Sequence, residues 1–138
     1  MSKQIDKECK KMLDMAYEAM EHSYSPYSNF KVGACLKTAD GKYYTGSNIE
    51  NSAYSVTNCA ERTAIFTAVH AGEREFDAIA VVCSNHGPAY PCGACRQVMT
   101  EFCSKDFAVI LDDGNGKYVQ YRLDEVLPYS FTKEDLFR

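Results

Sequence analysis

The spacing of apolar residues divides the first third of the chain into one helical and two strand-like segments. Apolar residues recur every three to four positions over residues 5–20 with charged residues between them, which predicts an amphipathic helix packed on a core. Pro26, in the polar loop that follows, cannot continue that helix. Residues 30–37 and 43–50 have the composition of strands, and Asp40-Gly41 between them predicts a tight antiparallel hairpin.

The middle of the chain alternates helices with buried strands. Asn58 is the predicted N-cap of a helix that ends at Gly72, and Pro91 is predicted to open a second helix. Continuous apolar runs at 77–84 and 107–111 predict strands that are buried on both faces of a sheet. Because a helix joins these two strands, we expect them to be parallel.

The remaining residues complete an α/β fold. Residues 117–123 follow a loop too short for a crossover, which predicts an antiparallel strand at the edge of the sheet. Residues 124–131 predict a short helix followed by an extended tail. We therefore expect one domain over residues 1–138, a three-layer α/β/α fold whose five-stranded mixed sheet has helices on both faces.

Composition narrows the function classes. The 138 residues carry a formal net charge of −4, which gives no general electrostatic attraction for nucleic acid. No apolar run approaches the length of a membrane span, and the start of the chain lacks the pattern of a signal peptide. In that context seven cysteines predict reduced thiols or metal ligands and a cytoplasmic protein rather than a disulfide framework.

Three cysteines and a glutamate predict a catalytic zinc site. They lie in two short strings, Cys59-Ala60-Glu61 and Pro91-Cys92-Gly93-Ala94-Cys95. Cys92 and Cys95 are one helical turn apart and can bind one ion, and Cys59 supplies a third thiolate. A catalytic zinc has three protein ligands and an open position, and Glu61 suits proton transfer there. The arrangement resembles the three-cysteine form of the signature of zinc-dependent base deaminases.

Charge compensation around three thiolates is a second expectation. Three thiolates and Zn²⁺ have a net charge of −1, which weakens the metal as a Lewis acid. Both cysteine strings lie at predicted helix N-termini, where the helix dipole favours thiolates. Arg62 and Arg96 each follow a site residue directly, and we expect their guanidinium groups to donate hydrogen bonds to the ligand sulfurs.

Simpler interpretations exist for parts of this pattern. A Cys-x-x-Cys string alone could be a redox pair or half of a structural zinc site. Glu61 alone could be the partner of an Asn58 cap in a capping box. The other four cysteines lie in apolar stretches and are expected in the core: Cys9, Cys35, Cys83 and Cys103. The histidines have no paired spacing and are not expected to bind the metal: His22, His70 and His86.

Nearly the whole chain resembles the short-chain homotetrameric zinc-dependent cytidine deaminases. Beyond the cysteine pattern, the resemblance is carried by SPYSNFKVGA at 25–34, GSNIENS at 46–52 and PCGACRQ at 91–97. It implies hydrolytic deamination of cytidine and deoxycytidine to uridine and deoxyuridine, with release of ammonia, in pyrimidine salvage. It also implies one Zn²⁺ per subunit and a homotetramer whose sites are shared between subunits, with neither nucleic acid nor a membrane as partner.

The resemblance further implies roles for individual residues. Asn48 and Glu50 are similar to the pair that binds ribose hydroxyls, and Phe30 to the aromatic residue that stacks near the pyrimidine. Ala60 would offer backbone groups to the base. Glu61 would move protons among the water at the zinc, N3 of the base and the leaving amine.

Two more aromatic residues are implied at the subunit boundary. Phe131 resembles the C-terminal aromatic residue that reaches a neighbouring subunit's site, and Tyr54 resembles a residue of the subunit contact near the pocket. Taken alone, Phe30 and Phe131 fit core positions better than a site, and the resemblance reverses that preference.

Three other functions compete with this one. Blasticidin-type antibiotic deaminases share the zinc motif and the size, but the Asn-Ile-Glu-Asn string at 48–51 favours a ribose-binding strand. Deaminases of polynucleotides, including tRNA adenosine, are disfavoured by the acidic balance and the short connection before the last strand. A zinc-stabilised binding module would need a fourth protein ligand, and the chain offers none at a standard spacing.

Overall fold

A computed structural model describes residues 2–137, so the predicted domain ends, Met1 and Arg138, lie outside the described part of the chain. The strands are β1 (Ser2–Gln4), β2 (Val32–Thr38), β3 (Tyr43–Ser47), β4 (Phe76–Cys83), β5 (Ala108–Asp112) and β6 (Lys117–Arg122). The helices are α1 (Lys7–Met20), α2 (Ala60–His70), α3 (Gly93–Phe102), α4 (Leu123–Val126) and α5 (Lys133–Phe137). A 3₁₀ turn occupies Tyr54–Val56.

The sheet is mixed, as predicted, but it has six strands rather than five. Its order is β1-β6-β5-β4-β2-β3, in which β4 and β5 are parallel and every other neighbouring pair is antiparallel. The sixth strand, β1, pairs with β6 through Lys3 and Tyr118, so the prediction that β6 is an edge strand is wrong. All three residues of β1 are polar, so they show no apolar–polar alternation, and the sequence pattern does not reveal this strand.

Helices cover both faces of the sheet, which confirms the three-layer prediction. Along β4, Ala80 and Val82 pack with α1, while Ile79 and Val81 pack with α2 and α3 on the opposite face. This alternation is the period of two expected for a strand buried on both sides. On its side of the sheet, α1 presents the apolar stripe predicted from the sequence, and the Asp6 carboxylate caps its start by accepting from the Cys9 N–H at 2.7 Å.

Both helices that carry cysteines begin differently from the prediction. The N-cap of α2 is Cys59 rather than Asn58, because the Asn58 backbone pairs with Ile49 in an isolated bridge. The Asn58 amide instead donates to Thr63 Oγ1 at 3.0 Å. Cys92 is likewise the N-cap of α3, one residue after Pro91. Neither cysteine makes a side-chain capping hydrogen bond, so both sulfurs are available for another role.

Two glycines let the helices approach the sheet closely. A Cβ atom at Gly46 in β3 would lie 2.5 Å from the Ala64 nitrogen and 2.6 Å from the Ala60 oxygen of α2. On the other face, a Cβ atom at Gly33 in β2 would lie 2.0 Å from the Ala16 oxygen of α1. Both contacts are with backbone atoms, which cannot move aside as a flexible side chain can. Gly46 therefore determines how closely the first turn of α2 approaches the sheet.

Two further boundaries differ from the predictions. The second strand of the hairpin ends at Ser47 rather than Glu50, although Ile49 continues with bridges to Tyr24 and Asn58. The segment after α4 is predicted to be extended, but it ends in the short helix α5. The Thr132 N–H donates to Asp135 Oδ2 at 2.8 Å, a capping contact that begins this helix. Within residues 2–137, no helix combines the length and apolar character of a membrane span.

Candidate active site

The sulfurs of Cys59, Cys92 and Cys95 form a compact cluster. All three lie within 4.8 Å of one another, with Cys59 Sγ and Cys92 Sγ 3.7 Å apart and Cys92 Sγ and Cys95 Sγ 3.5 Å apart. Sulfurs at the corners of a tetrahedron with a Zn–S bond of about 2.3 Å are about 3.8 Å apart. The donor set and its spacing therefore fit a zinc ion without rearrangement of the backbone.

Proton sharing within this cluster prepares one thiolate. Hydrogen bonding from the Cys95 thiol, followed by hydrogen bonding from Arg62, lowers the pKa of Cys59 to about 5. The same hydrogen bond to Cys59, together with burial, raises the pKa of Cys95 well above its ordinary value. These opposite directions favour the negative charge on Cys59 and the proton on Cys95. Metal binding must release that proton, as it does whenever thiols become ligands.

Arg62 contacts the cluster directly. Its Nη2 donates to Cys59 Sγ at 3.2 Å from one turn along α2. This hydrogen bond to an anionic sulfur raises the pKa of the Arg62 guanidinium above its ordinary value. The Arg62 Nε atom is buried and has no hydrogen-bond partner in the described part of the chain. The guanidinium of Arg62 therefore places a positive charge beside the sulfur of Cys59.

Arg96 makes different contacts from those expected. Its Nε donates to the Pro91 oxygen at 2.7 Å and its Nη1 donates to the Val126 oxygen at 2.6 Å. The hydrogen bonds of the described residues include none from Arg96 to a cysteine sulfur. Because the main chain of Pro91 leads directly into Cys92, Arg96 joins the start of α3 to the end of α4. Its contact with the cluster is therefore through the backbone.

Glu61 is the acidic group of the cluster. Glu61 is 4% exposed, and it is the only acidic residue within residues 2–137 that is buried. Burial raises the pKa of Glu61 to about 7, and the negative charge of Cys59 adds to the increase. A carboxyl group with a pKa near neutrality can both accept and release a proton at physiological pH. The capping-box interpretation of Glu61 fails, because with Cys59 as N-cap Glu61 is the second helical residue rather than the third.

The amide of Asn48 lies beside the loop that carries Phe30. Asn48 Oδ1 accepts hydrogen bonds from the Val32 N–H at 2.9 Å and from Ser23 Oγ at 2.5 Å. Asn48 Nδ2 donates to the Phe30 oxygen at 2.8 Å. These three bonds hold a buried amide in one orientation and position the backbone of Phe30, whose ring is 41% exposed.

The carboxylate of Glu50 organises the same loop from the other side. Glu50 Oε1 accepts from the N–H groups of Tyr27 at 3.0 Å and Ser28 at 3.1 Å, and Oε2 accepts from Ser28 Oγ. Hydrogen bonding, first from the Ser28 hydroxyl, lowers the pKa of Glu50 below its ordinary value. Glu50 is therefore an anion at neutral pH.

A cavity of about 400 Å³ adjoins this loop. It is lined by Tyr27, Ser28, Glu50, Tyr54 and Thr57. Tyr54 is 74% exposed and packs edge-to-face on Tyr27, with 6.1 Å between ring centroids. Two predicted substrate residues, Glu50 and Tyr54, thus share one depression. The cysteines and Glu61 do not line it.

The remaining predicted residues lie apart from this cavity. Ala60 is fully buried at the first position of α2, between Cys59 and Glu61. Phe131 is 58% exposed, and its oxygen accepts a hydrogen bond from Gln97 Nε2 at 2.7 Å. A larger cavity of about 1020 Å³ lies between the end of α3 and the C-terminal segment, and it contains none of the cysteine cluster.

Two side-chain contacts near the site are not predicted from the sequence. The side chain of Gln97, on α3, donates a hydrogen bond to the main-chain oxygen of Phe131 in the C-terminal segment. The hydroxyl of Ser28 contacts both Glu50 and Phe30. The only available signal was their presence in the strings PCGACRQ and SPYSNFKVGA. Hydroxyl and amide side chains in polar loops have no periodicity from which such a contact could be predicted.

Comparison with known proteins agrees with the fold and the cysteine cluster. The family model described as "Cytidine and deoxycytidylate deaminase zinc-binding region" matches residues 6–111. The chain is 52% identical over 126 residues to the cytidine deaminase of Sporosarcina psychrophila, covering 91% of this chain and 93% of that protein. It is 30% identical over 129 residues to the blasticidin-S deaminase of Bacillus cereus, covering 88% of this chain and 85% of that protein.

Solved structures show the same likeness. The crystal structure of cytidine deaminase from Burkholderia pseudomallei is 49% identical with a TM-score of 0.84, over 88% of this chain and 98% of that chain. The cytidine deaminase of Mycobacterium tuberculosis is 32% identical with a TM-score of 0.79, over 91% and 98%. Fold and site together define a zinc-binding deaminase domain. The chain belongs to the cytidine and deoxycytidylate deaminase family, and it is an enzyme of the cytidine deaminase class.

Proposed function

We propose that this chain hydrolyses both cytidine and deoxycytidine, releasing ammonia and forming uridine and deoxyuridine for pyrimidine salvage. The observation that carries the proposal is the burial of Glu61 beside three convergent cysteine sulfurs at the starts of α2 and α3. The names of relatives at 52% and 48% identity, both cytidine deaminases, support the nucleoside as substrate. Water supplies the new carbonyl oxygen at C4, and the amino group leaves as ammonia.

The chain's own residues supply binding and proton transfer. Cys59, Cys92 and Cys95 would hold one zinc ion per subunit, which when bound supplies Lewis-acid activation of water. Glu61 takes up the two protons of the attacking water in turn and delivers one to N3 of the base and one to the departing amine. A pKa near neutrality suits a group that must gain and lose a proton in each turnover. Arg62 offsets negative charge at Cys59.

Hydrogen-bond capacity near the loop supports both sugars as substrates. The Asn48 amide has accepted two hydrogen bonds and donated one, which leaves one N–H. The Glu50 carboxylate has accepted three bonds out of about four lone-pair sites, which leaves one acceptor. One donor and one acceptor satisfy a single sugar hydroxyl. Recognition of one hydroxyl would accommodate deoxyribose as well as ribose.

A homotetramer with shared sites completes the proposal. Large apolar side chains are exposed in the segments 24–30 and 49–56 and in the C-terminal segment: Tyr24, Tyr27, Phe30, Ile49, Tyr54, Val56, Tyr129, Phe131, Leu136 and Phe137. Exposed apolar patches are typical of surfaces that bind another chain. Tyr54 and Phe131 would then contact a neighbouring subunit's substrate. Light scattering tests this assembly, and a stable, active monomer would contradict it.

A cytoplasmic location is part of the same proposal. All seven cysteines are free thiols. Free thiols and a thiolate metal site are typical of reducing compartments. Fractionation of cells that produce the protein, with a disulfide-bonded marker as comparison, tests the location.

The direct test is the ultraviolet change on mixing zinc-loaded protein with a cytosine nucleoside. Loss of the 4-amino group alters the pyrimidine absorbance, so conversion of cytidine and of deoxycytidine at comparable rates is the expected result. Blasticidin S is the matched competitor, because a blasticidin-S deaminase is also among the relatives. Turnover of blasticidin S without turnover of either nucleoside, by protein whose zinc content is full, would overturn the proposed substrate.

A further inference from the structure

The hydroxyl of Ser28 contacts two residues, Phe30 and Glu50, that lie 20 positions apart in the chain. Ser28 Oγ donates a hydrogen bond to Glu50 Oε2 and accepts one from the Phe30 N–H at 3.0 Å. A serine hydroxyl has one donor and two acceptor lone pairs, so it can make both contacts at once. A single oxygen atom therefore joins the Glu50 carboxylate to the backbone of Phe30.

The backbone between these contacts has one specific conformation. Asn29, between Ser28 and Phe30, has a φ of +56°, in the left-handed region that asparagine adopts more readily than most residues. The Asn29 N–H donates to the Ser25 oxygen at 3.0 Å, which closes the turn. The direction in which the Phe30 ring leaves the loop depends on this turn. Ser28 is the side chain that ties the turn to Glu50.

We propose that Ser28 is a positioning residue that couples recognition of the sugar to recognition of the base. The proposal rests on the proposed roles of Glu50 with the sugar hydroxyl and Phe30 with the pyrimidine. Ser28 occupies one lone pair of Glu50 Oε2, which orients the carboxylate and leaves the remaining acceptor for the sugar. The same oxygen fixes the backbone of Phe30. A shift of either partner is thus transmitted to the other.

Removal of the hydroxyl should affect substrate binding more than chemistry. In a Ser28→Ala protein the Phe30 N–H loses its acceptor and Glu50 Oε2 loses a donor, whereas Glu61 and the cysteines keep their contacts. We expect KM for cytidine to rise about tenfold, the change typical of losing one hydrogen bond to a charged group, with kcat within about twofold. The dissociation constant of the product uridine should rise in parallel. Ser28→Thr retains the hydroxyl and should restore both values.

Two comparisons test the route through Glu50. For 2′,3′-dideoxycytidine, which lacks the two ring hydroxyls proposed to contact Glu50 and keeps only the 5′-hydroxyl, the Ser28→Ala effect on KM should shrink. In a double-mutant cycle with Glu50→Gln, the two substitutions should be non-additive, because the second acts on a contact that the first has already broken. Ser104→Ala is the matched control, since Ser104 Oγ donates to a nearby carboxylate, Asp106 Oδ1, in a surface turn between α3 and β5.

Each outcome has a definite meaning. An unchanged KM in Ser28→Ala, or effects that add fully with those of Glu50→Gln, would overturn the role of Ser28 and leave the proposed function intact. A fall in kcat with unchanged KM would overturn it as well. A zinc-loaded wild-type protein that converts neither nucleoside would overturn the proposed function, and the role of Ser28 with it.

Discussion

Tyr17 Oη donates a 2.5 Å hydrogen bond to Asp112 Oδ2, which joins the second half of α1 to the carboxyl end of β5. The same hydroxyl lies 3.3 Å from His86 Nδ1, and the rings of Tyr17 and His86 stack with 5.5 Å between centroids. His86 has a φ of +62°, and a Cβ atom at Gly114 would lie 2.5 Å from its oxygen. The loop that leads to Cys92 is therefore held at its start by contacts with α1 and with the turn after β5.

Replacement of Tyr17 by Phe should destabilise the protein. The partly buried Asp112 carboxylate loses the hydroxyl donor at Oδ2 and keeps the Gly114 N–H at Oδ1, and the loss of such a bond typically lowers the free energy of unfolding by about 1.5–3 kcal/mol. Denaturant titration of the zinc-loaded protein measures this change. Tyr43→Phe is the control. It removes an exposed hydrogen bond of 2.7 Å from Tyr43 Oη to Glu8, which lies in the first half of α1. Equal losses of unfolding free energy in the two variants would show that the hydrogen bond to Asp112 stabilises the protein no more than the exposed one does.

Replacement of Glu61 by Gln should separate metal binding from catalysis. The amide cannot carry the proton, so turnover should fall by at least about 10²–10⁴-fold, while the three cysteines still bind zinc. Absorbance assays with cytidine and metal analysis of the same preparation provide the two measurements. Glu101→Gln, an exposed change on α3, should leave both unaltered. Wild-type activity in the Glu61 variant would remove this residue from the mechanism.

Replacement of Arg62 by Ala should weaken zinc binding. The Cys59 sulfur would lose the donor at 3.2 Å that offsets its charge, and losses of this kind lower metal affinity by about 10–100-fold. Competition with a coloured chelator measures the affinity without reference to activity. Arg74→Ala offers a matched loss of a guanidinium, because among residues 2–137 the acceptors of the Arg74 side chain are the main-chain oxygens of Val69 and Glu73. Equal zinc affinity in the two variants would contradict the role of Arg62.

The buried thiol of Cys35 should make the protein sensitive to alkali. Burial raises the pKa of Cys35 from 9.0 to about 12, and the charge of Glu8 adds to the increase. The unfolded chain releases this proton near pH 9, whereas the folded protein keeps it until about pH 12. Stability is therefore full below pH 9 and falls as the pH rises through that window, by about 1.4 kcal/mol per pH unit from this group.

A Cys35→Ala protein isolates this contribution. Its free energy of unfolding, measured under reducing conditions, should differ from that of the wild type by a constant amount between pH 7 and 8. Above pH 9 its decline should be shallower, because one ionising thiol is gone. Parallel curves over the whole alkaline range would show that Cys35 keeps an ordinary pKa in the folded protein.

The Cys92–Cys95 pair and the layered sheet follow from local rules, whereas the approach of Cys59 to Cys92, 33 residues further along the chain, depends on how α2 and α3 pack on the sheet. Residues three positions apart in a helix lie on the same face, so the spacing of Cys92 and Cys95 is enough to bring their sulfurs together. The continuous apolar run of β4 is likewise enough to predict that this strand is buried on both faces. Glu61 falls beside the sulfurs because it lies within the first turn of the same helix as Cys59. Each of these local results needs only positions close together in the chain.

The features that differ from prediction depend on contacts between distant segments. Asn58 has the right chemistry for an N-cap, but its backbone is already paired with Ile49, so the helix begins one residue later. Arg96 directly follows Cys95, whose sulfur is its expected partner, yet it donates to the Val126 oxygen of α4 instead. The strand β1 exists because β6 presents an unpaired edge to it. None of these competing partners is visible from local spacing.

The bare backbone at Gly33 and Gly46 has a consequence for how the enzyme tolerates change. The two residues lie on adjacent strands, where Gly33 pairs with Ser47 and Gly46 pairs with Ala34, and each faces a different helix. Gly46 has no reactive group. When the activity of every single-substitution variant is measured, substitutions at Gly46 should nevertheless reduce activity nearly as much as those at Glu61. A methyl group at Gly46 would displace the turn that carries both Cys59 and Glu61, and activity would be lost through geometry alone.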